Sequence, residues 1–345
     1  MHKKLIALAA TLLTAGAASA QSVSLYGVVD ASFEHVKGTD GVTRISSDNY
    51  ASSRLGFKGT EDLGDGLKAR FVLEHGLKVD NGAQNNGARF WDRAAWVGLE
   101  GAFGDLKLGR IDSAIGLLAG NTAILGAQGY DDFKIARTFA GDTYRRVDNA
   151  ITYTLPTLTP GLTLQAQYTL AAGTSSTPGA ETADSDLGKG FSLSGQYVMG
   201  PLALGAAYIE IEANAAGSYE DSAALAYASY DFGMARLTGY YNVDSRSGAA
   251  EQKKLLGAKV WVPVSADLSF QAGLSQVQNA AKSSADDDAL ILALKVNYSL
   301  SKRTSVYGLF TSVDNEDGSS LGVTNIATPA GDTSTGLAVG IRHAF

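Results

Sequence analysis

The chain of 345 residues contains no cysteine and only six prolines, and no run of eighteen consecutive apolar residues follows residue 20. The lack of cysteine excludes a disulfide scaffold and cysteine-based metal or redox chemistry. The lack of a long apolar run excludes a transmembrane helix in that part of the chain. Basic residues are also scarce, with 28 Lys and Arg against 35 Asp and Glu, which argues against a general nucleic-acid binder.

The first twenty residues have the three parts of a secretory signal peptide. Lys3 and Lys4 give a positive start, residues 5–13 form a short apolar run, and residues 18–20 read Ala-Ser-Ala, a small-residue cleavage site. The apolar run is too short to cross a bilayer as a helix. We therefore predict that residues 1–20 direct export and that residues 21–345 form the mature domain.

Apolar and polar residues alternate over long stretches of the mature chain. In residues 22–34 the odd positions are mostly apolar and the even positions mostly polar, which is the period of a β-strand. The same pattern recurs in 161–170, 234–242, 267–275 and 289–300. These runs are longer than the average soluble strand of about 5–6 residues. They match the roughly 9–11 residues that a tilted membrane strand needs.

The breaks between these runs are of two kinds, tight turns and long polar loops. Short turns on one side and long loops on the other are typical of an outer-membrane barrel. The sequence therefore predicts an all-β fold, a 16-stranded antiparallel transmembrane β-barrel with short periplasmic turns and long extracellular loops. Strands are expected to start near residues 22, 53, 67, 89, 104, 146, 161, 189, 202, 222, 234, 253, 266, 288, 303 and 336. The long loops are expected at 36–52, 76–87, 171–188, 212–221, 243–252, 276–288 and 312–334.

A large secreted β-sandwich or propeller would show the same alternation. The runs lack a blade repeat, however, and sixteen such strands would bury too many Gln, Lys and Arg side chains unless the polar face were wet. In a lipid-embedded barrel the apolar face turns outward and the polar face lines the lumen. A barrel of this width is too wide for side chains to fill, so we expect an aqueous channel.

Strand parity identifies the charged side chains that should line this channel. Arg110 falls on the outward parity, so it must lie beyond a bulge or a strand end. Because the wall holds more base than acid, we expect a mild anion preference. The remaining basic residues take the lumen parity, namely Arg54, Lys58, Lys68, Arg70, Lys107 and Arg146.

Residues 111–145 do not have the composition of an exposed loop. Their first half contains Ile115, Leu118 and Ile124, and an exposed loop would not carry such a patch. We expect this segment to fold into the barrel or to pack at a subunit contact. It also contains Asp131, Asp132 and Asp142, which would face the basic wall across a constriction and select solutes by size and charge.

Catalysis and cofactor binding have little support in the sequence. The four histidines stand in no G-x-S-x-G, H-E-x-x-H or phosphate-loop context, so we predict neither an enzyme nor a cofactor. The acidic run at 286–288 could hold Ca²⁺ or bridge lipopolysaccharide, although a solvated loop is the simpler interpretation. Two other functions remain open. A substrate-specific channel would need a track of lumen aromatics, for which Tyr26, Tyr240 and Trp261 qualify by parity, and an adhesin would use the long loops.

Several motifs, in order, resemble the betaproteobacterial branch of the Gram-negative general porins: "SVSLYGVVDASFEHV", "SRLGFKGTEDLGDGLKARFVLE", "WVGLEGAFGDLKLGR", "RRVDNAITYTLP", "LSKRTSVYG" and "VGIRHAF". The resemblance covers nearly the whole mature chain. It implies a homotrimer in outer-membrane lipid and lipopolysaccharide, passing small hydrophilic solutes and ions by passive diffusion. It implies that 111–145 is the inward constriction loop and that Arg54, Lys58, Lys68, Arg70, Arg110 and Arg146 are basic wall residues. It also implies that Phe345 is the tag read by barrel-assembly machinery.

Overall fold

The computed structural model describes residues 22–126, 129–171, 185–214, 216–280 and 286–345, and the predicted signal peptide lies outside them. Regular structure in these residues is mostly β-strand. The strands are β1 Ser22–Lys37, β2 Gly41–Ser47, β3 Arg54–Gly64, β4 Leu67–Gly76, β5 Ala94–Gly101, β6 Gly104–Asp112, β7 Arg146–Thr154, β8 Leu162–Thr169, β9 Gly190–Met199, β10 Leu202–Glu212, β11 Glu220–Asp231, β12 Arg236–Arg246, β13 Lys253–Pro263, β14 Leu268–Gln278, β15 Ala289–Ser299, β16 Thr304–Asn315 and β17 Ser334–Ala344.

All of these strands join one antiparallel sheet that closes on itself. β1 pairs with β17, with Val28 opposite Ala344 and Lys37 opposite Thr335. On its other edge β1 pairs with β2 through residues 31–37 and with β3 through residues 22–28. β2 and β3 are therefore two parts of one barrel strand. The barrel has sixteen strands, as the sequence predicts, and the pairing of β1 with β17 closes it.

The region 36–52 is a correction to the predicted loops. Residues Gly41–Ser47 form a strand rather than part of a long loop. Their alternation is that of a strand, because Ile45 lies opposite the outward Phe33 and Arg44 lies opposite the inward Glu34. Within the predicted loop 36–52, a tight turn at residues 38–40 joins β1 to β2, and the chain leaves the barrel wall at residues 48–53, between β2 and β3.

The apolar face of the barrel points outward. Phe33 is 58% exposed and Val339 is 61% exposed, whereas Asp30, Ser32 and Glu34 on the other face of β1 are buried. This arrangement reverses that of a soluble protein and suits a surface surrounded by lipid. Within the described residues, we find no helix with the length and apolar character needed to cross a membrane.

The segment between β6 and β7 folds into the barrel, as the sequence predicts. It contains helix α1, Ala114–Thr122, helix α2, Asp132–Ile135, and a π-helical turn, Phe139–Thr143. The Ser113 side chain caps α1 by accepting a hydrogen bond from the Gly116 amide at 3.0 Å. We call residues 113–145 the constriction loop.

The largest apolar cluster of the described residues lies inside the barrel, between the constriction loop and the wall. α1 contacts β9, β10 and β11. On the loop side, Ile115 and Leu118 are fully buried. On the wall side, Ile209 and Leu225 are buried at lumen-facing positions. A wall that faced water at these positions would carry polar side chains instead. The loop therefore fills the side of the lumen next to these strands and leaves the passage on the opposite side.

The tip of the constriction loop reaches the strands near the closure of the barrel. The Tyr130 hydroxyl donates to Glu34 Oε2 on β1 at 3.1 Å. Thr311 on β16 donates its hydroxyl to the Tyr130 carbonyl at 3.0 Å. Tyr130 is itself fully buried. The loop is thus anchored at both ends of its path across the lumen.

Candidate functional site: the constriction cavity

A cavity of about 900 Å³ lies between the constriction loop and the wall formed by the first strands. Its lining comes from four sources: residues 44–54 of β2, β3 and the segment between them, the region from β4 to β7, the constriction loop from Ala119 onward, and residues 322–325 with Arg342 near the closure of the barrel. We call it the constriction cavity. Three groups of arginines and carboxylates define its charge.

The first group is centred on Glu74 of β4. Arg93 Nε lies 2.6 Å from Glu74 Oε1, and Arg54 Nε lies 3.6 Å from Glu74 Oε2. The Tyr26 hydroxyl donates to Glu74 Oε2 at 2.9 Å. One carboxylate thus lies between two guanidinium groups.

The second group depends on a bulge in β6. The pairing of β6 with β7 shifts between Gly109 and Ile111, and Gly109 has a φ of 132°, a left-handed value that favours glycine. The shift turns Arg110 inward, which confirms the bulge expected from its parity. Arg110 Nη1 lies 2.5 Å from Asp148 Oδ1, and Arg89 Nη1 lies 2.5 Å from Asp148 Oδ2.

The third group lies where β6 ends and β7 begins. Arg146 Nε lies 3.0 Å from Asp112 Oδ1, and Arg145 Nε lies 3.5 Å from the same oxygen. Across the three groups, six guanidinium groups share three carboxylates. The whole lining of the cavity holds nine basic and six acidic side chains, an excess of three positive charges (9 − 6). In a partly buried site such charges are screened less than on an open surface.

The predicted charged residues fall into three sets: those that line the constriction cavity, those nearer the short turns, and Asp132, which is buried under the loop. Arg54, Arg110, Arg146, Asp131 and Asp142 line the constriction cavity. Four others share the lumen face but lie nearer the short turns. Lys58 is four residues beyond Arg54, about 13 Å along β3. The other three are Lys68, Arg70 and Lys107, and the last two both lie beside Asp105.

Asp132 is a correction to the predicted lining. Its carboxylate is fully buried under the loop, where it accepts hydrogen bonds from the Tyr240 hydroxyl and from the Ile124 amide. Tyr240 is removed from the predicted aromatic track for the same reason. Asp142 lies beside Lys134 on the same loop, so its charge is locally balanced. Burial and the neighbouring Asp132 raise the pKa of Asp131 well above its usual range.

Wall lysines hold the constriction loop in place. Lys259 Nζ donates to the carbonyl oxygens of Asn121 at 3.0 Å and Ala123 at 2.8 Å, at the C-terminal end of α1. Lys295 Nζ donates to the Leu125 carbonyl. Cations suit the C-terminal end of a helix, where carbonyl groups are unpaired. These two lysines have the lumen parity, but they act as loop anchors rather than as open wall charges.

Sequence reasoning did not select Arg89, Arg93, Arg145 or Asp112 as site residues. Arg89 and Arg93 belong to the irregular stretch between β4 and β5, where parity does not indicate a direction. Arg145 and Asp112 lie at strand boundaries that the sequence sets only within a few residues. In the sequence, only the two adjacent arginines Arg145 and Arg146 point to the third group, because two neighbouring positive charges suggest a nearby carboxylate.

The model of the Gram-negative porin family matches residues 6–318. The chain belongs to this family. It is similar to outer membrane porin protein 32 of Delftia acidovorans, with 34% identity over the whole of both chains. Its structure is similar to that of an anion-selective porin from Comamonas acidovorans, with 27% identity, a TM-score of 0.79, and coverage of 94% of this chain and 100% of the other.

The trimer form of OmpT from Vibrio cholerae shares the fold at 18% identity, with a TM-score of 0.67 over 95% of this chain and 100% of that chain. Membership of the porin family and the closed barrel together establish the general function. The protein is an outer-membrane porin, a water-filled channel for passive diffusion of ions and small hydrophilic solutes.

Proposed function

We propose that this porin prefers small anions to cations. The observation that supports the proposal is the charge of the constriction cavity, whose lining holds nine basic and six acidic side chains. A ring of fixed positive charge lowers the energy of an anion at the narrowest point and raises that of a cation. The anion-selective porin from Comamonas acidovorans provides a structural precedent.

The reversal potential in a KCl gradient across a planar bilayer tests this proposal. We expect the sign of an anion-selective channel at about 0.1 M salt, and a weaker preference near 1 M, where the Debye length falls to about 3 Å. A cation-selective sign would contradict the proposal. An absence of any conductance in reconstituted protein would contradict the channel function itself.

We propose that the functional unit is a homotrimer. The trimer form of OmpT supports this, as does the apolar outward face of β1 and β17, on which a second copy could pack. Light scattering of the protein in detergent gives the mass of the assembly. We expect three chains, and a monomer at all protein concentrations would contradict the proposal.

We further propose that the channel works without catalysis and without a cofactor. His35 contacts Thr43 Oγ1, His75 contacts the Phe90 carbonyl, and His343 contacts Thr304 Oγ1, so these rings lie beside hydroxyl and carbonyl groups rather than acids. Asp288 accepts a hydrogen bond from the Asn279 amide at 3.0 Å, a role within the loop. We therefore expect EDTA to leave both the melting temperature and the conductance unchanged. A drop in either would indicate a bound metal ion.

A further inference from the structure

A second cavity, of about 530 Å³, lies below the constriction loop. It is bounded by residues 198–203, which include the short turn between β9 and β10, and by inward side chains of β11 to β14. Asn121 of α1 forms part of its roof. Its volume falls within the range of about 300–1,000 Å³ that is usual for small-molecule sites. We call it the lower cavity.

Two aromatic side chains line the lower cavity. A Cβ atom added at Gly205 would lie 2.2 Å from Cε1 of Tyr227, so the tyrosine ring lies flat against the wall where only glycine fits. One face of the ring covers the neighbouring strand, and the ring also lines the cavity. Trp261 is the second aromatic residue, and Arg236 Cζ lies 5.4 Å from its ring centroid.

The charged groups of the lower cavity are already engaged. Arg236 donates two hydrogen bonds to Asp231 Oδ2, at 3.2 and 2.8 Å. Lys259 donates to the two loop carbonyl groups described above. The uncharged polar side chains of the lining are those of Asn121, Ser229, Thr238 and Gln271. The Ser229 and Thr238 hydroxyl groups are bonded to each other at 2.9 Å, and the Gln271 amide donates to the Ile124 carbonyl. Each hydroxyl group has two acceptor sites and the amide has a second N–H and a carbonyl oxygen, so these side chains can form further hydrogen bonds. The lower cavity therefore contrasts with the constriction cavity, where guanidinium groups outnumber carboxylates.

We propose that the lower cavity is a binding subsite for neutral hydroxylated ring solutes, that is, monosaccharides and short oligosaccharides. The C–H face of a sugar ring packs against a flat aromatic ring such as Tyr227. Its hydroxyl groups both donate and accept hydrogen bonds, as do the hydroxyl groups of Ser229 and Thr238 and the amide of Gln271. The proposal rests on the established channel, because the solute reaches the cavity through the lumen.

Ion-current fluctuations in planar bilayers test the proposal. Maltose is added on the periplasmic side, where the short turns lie, in symmetric KCl. We expect brief, concentration-dependent blocks in the wild-type channel. Tyr227→Leu and Trp261→Leu each remove an aromatic ring but keep apolar volume. Each is expected to weaken maltose binding about tenfold or more, the effect of losing about 1.4 kcal/mol from one principal contact.

Tyr307→Leu is the matched control. Tyr307 also covers a glycine of the neighbouring strand, Gly340, and it lines neither the lower cavity nor the constriction cavity. It should leave maltose block unchanged. Saturation-transfer NMR on the detergent-solubilised protein measures binding that does not interrupt the current.

The outcomes separate this inference from the anion preference. Wild-type protein that conducts KCl but shows neither maltose block nor a saturation-transfer signal would overturn the subsite and leave the channel intact. Binding that survives both Tyr227→Leu and Trp261→Leu, or that is lost equally in Tyr307→Leu, would also overturn it. A cation-selective reversal potential would instead contradict only the anion preference.

Discussion

Tyrosine and glycine are paired inside this barrel. At four inward sites a tyrosine ring covers a glycine of the neighbouring strand, so closely that a Cβ atom on the glycine would lie 2.2–2.5 Å from a ring atom. The ring then lies along the wall instead of projecting into the lumen, and its hydroxyl reaches a polar partner. This pairing accounts for part of the high glycine content of the chain. The pairs are Tyr26 with Gly56, Tyr227 with Gly205, Tyr240 with Gly257 and Tyr307 with Gly340.

Glu74 tests how the arginines set selectivity. Glu74→Gln keeps the shape of the side chain but removes the one carboxylate shared by Arg54 and Arg93. The cavity then carries one more uncompensated positive charge, so we expect the reversal potential in a KCl gradient to shift further toward anions. Arg93→Gln removes one of the two positive charges beside Glu74 instead, so it should shift the reversal potential toward cation selectivity. Shifts of the same sign in both variants would contradict this account.

Lys295 tests the anchoring of the constriction loop. Lys295→Met keeps the length of the buried stem but leaves the Leu125 carbonyl without its charged donor. A hydrogen bond to a charged group contributes roughly 1.5–3 kcal/mol, so we expect the loop to fluctuate more. Single-channel recordings should show more open-channel noise. Lys68→Met is the control, because Lys68 lies on the wall nearer the short turns. Its open-channel noise should equal that of the wild-type channel.

At the scale of elements, apolar packing holds α1 in the lumen together with the Lys259 hydrogen bonds at its C-terminal end. Leu118 is fully buried between α1 and the barrel wall, while its neighbour Leu117 is 37% exposed. Leu118→Ala should cost about 2–5 kcal/mol of packing free energy. Because that free energy holds the loop against the wall, we expect faster entry of larger sugars in liposome swelling. Leu117→Ala is the control, and an equal effect of both variants would show that helix propensity rather than burial matters.

The sequence predicts the strands well because each one is half in water and half in lipid, which gives a strong two-residue period. The inward loop is also predictable, because Ile115 and Leu118 could not lie exposed. The segment 41–47 was assigned to a loop because its polar flanks hide a short alternation. The inward directions of Arg89 and Arg93 are not predictable, because both residues lie in irregular backbone, which has no period from which a side-chain direction can be inferred. The burial of Asp132 is not predictable either, because it depends on how the short helix α2 packs against Tyr240 of the wall.

At the scale of the whole molecule, Phe345 completes the closure of the barrel. Its amide and carbonyl bond to the carbonyl and amide of Gly27, both at 3.1 Å. Its ring covers Gly27 so closely that a Cβ atom there would lie 2.3 Å from Cζ. Deletion of Phe345 should lower the amount of folded protein in the outer membrane, measured by the heat-modifiable mobility of the barrel in gels. Phe345→Tyr should restore it.

The side chain of Phe345 does not line either cavity of the lumen. The conductance of channels that do assemble without it should therefore remain close to that of the wild-type protein. A folded but narrowed or silent channel would show instead that the terminal residue shapes the passage.

Tyr130 gives the constriction loop a mechanical role. The loop leaves the wall between β6 and β7, crosses the barrel, and bonds through Tyr130 to β1 and β16, on either side of β17. The loop thus links the strands on both sides of β17, where the first and last strands of the chain pair. A barrel in which β1 and β17 have not paired cannot form both contacts, because β1 and β16 have not yet been brought close together. The width of the pore is therefore set only when the barrel has closed. An incompletely closed barrel does not yet contain the constriction.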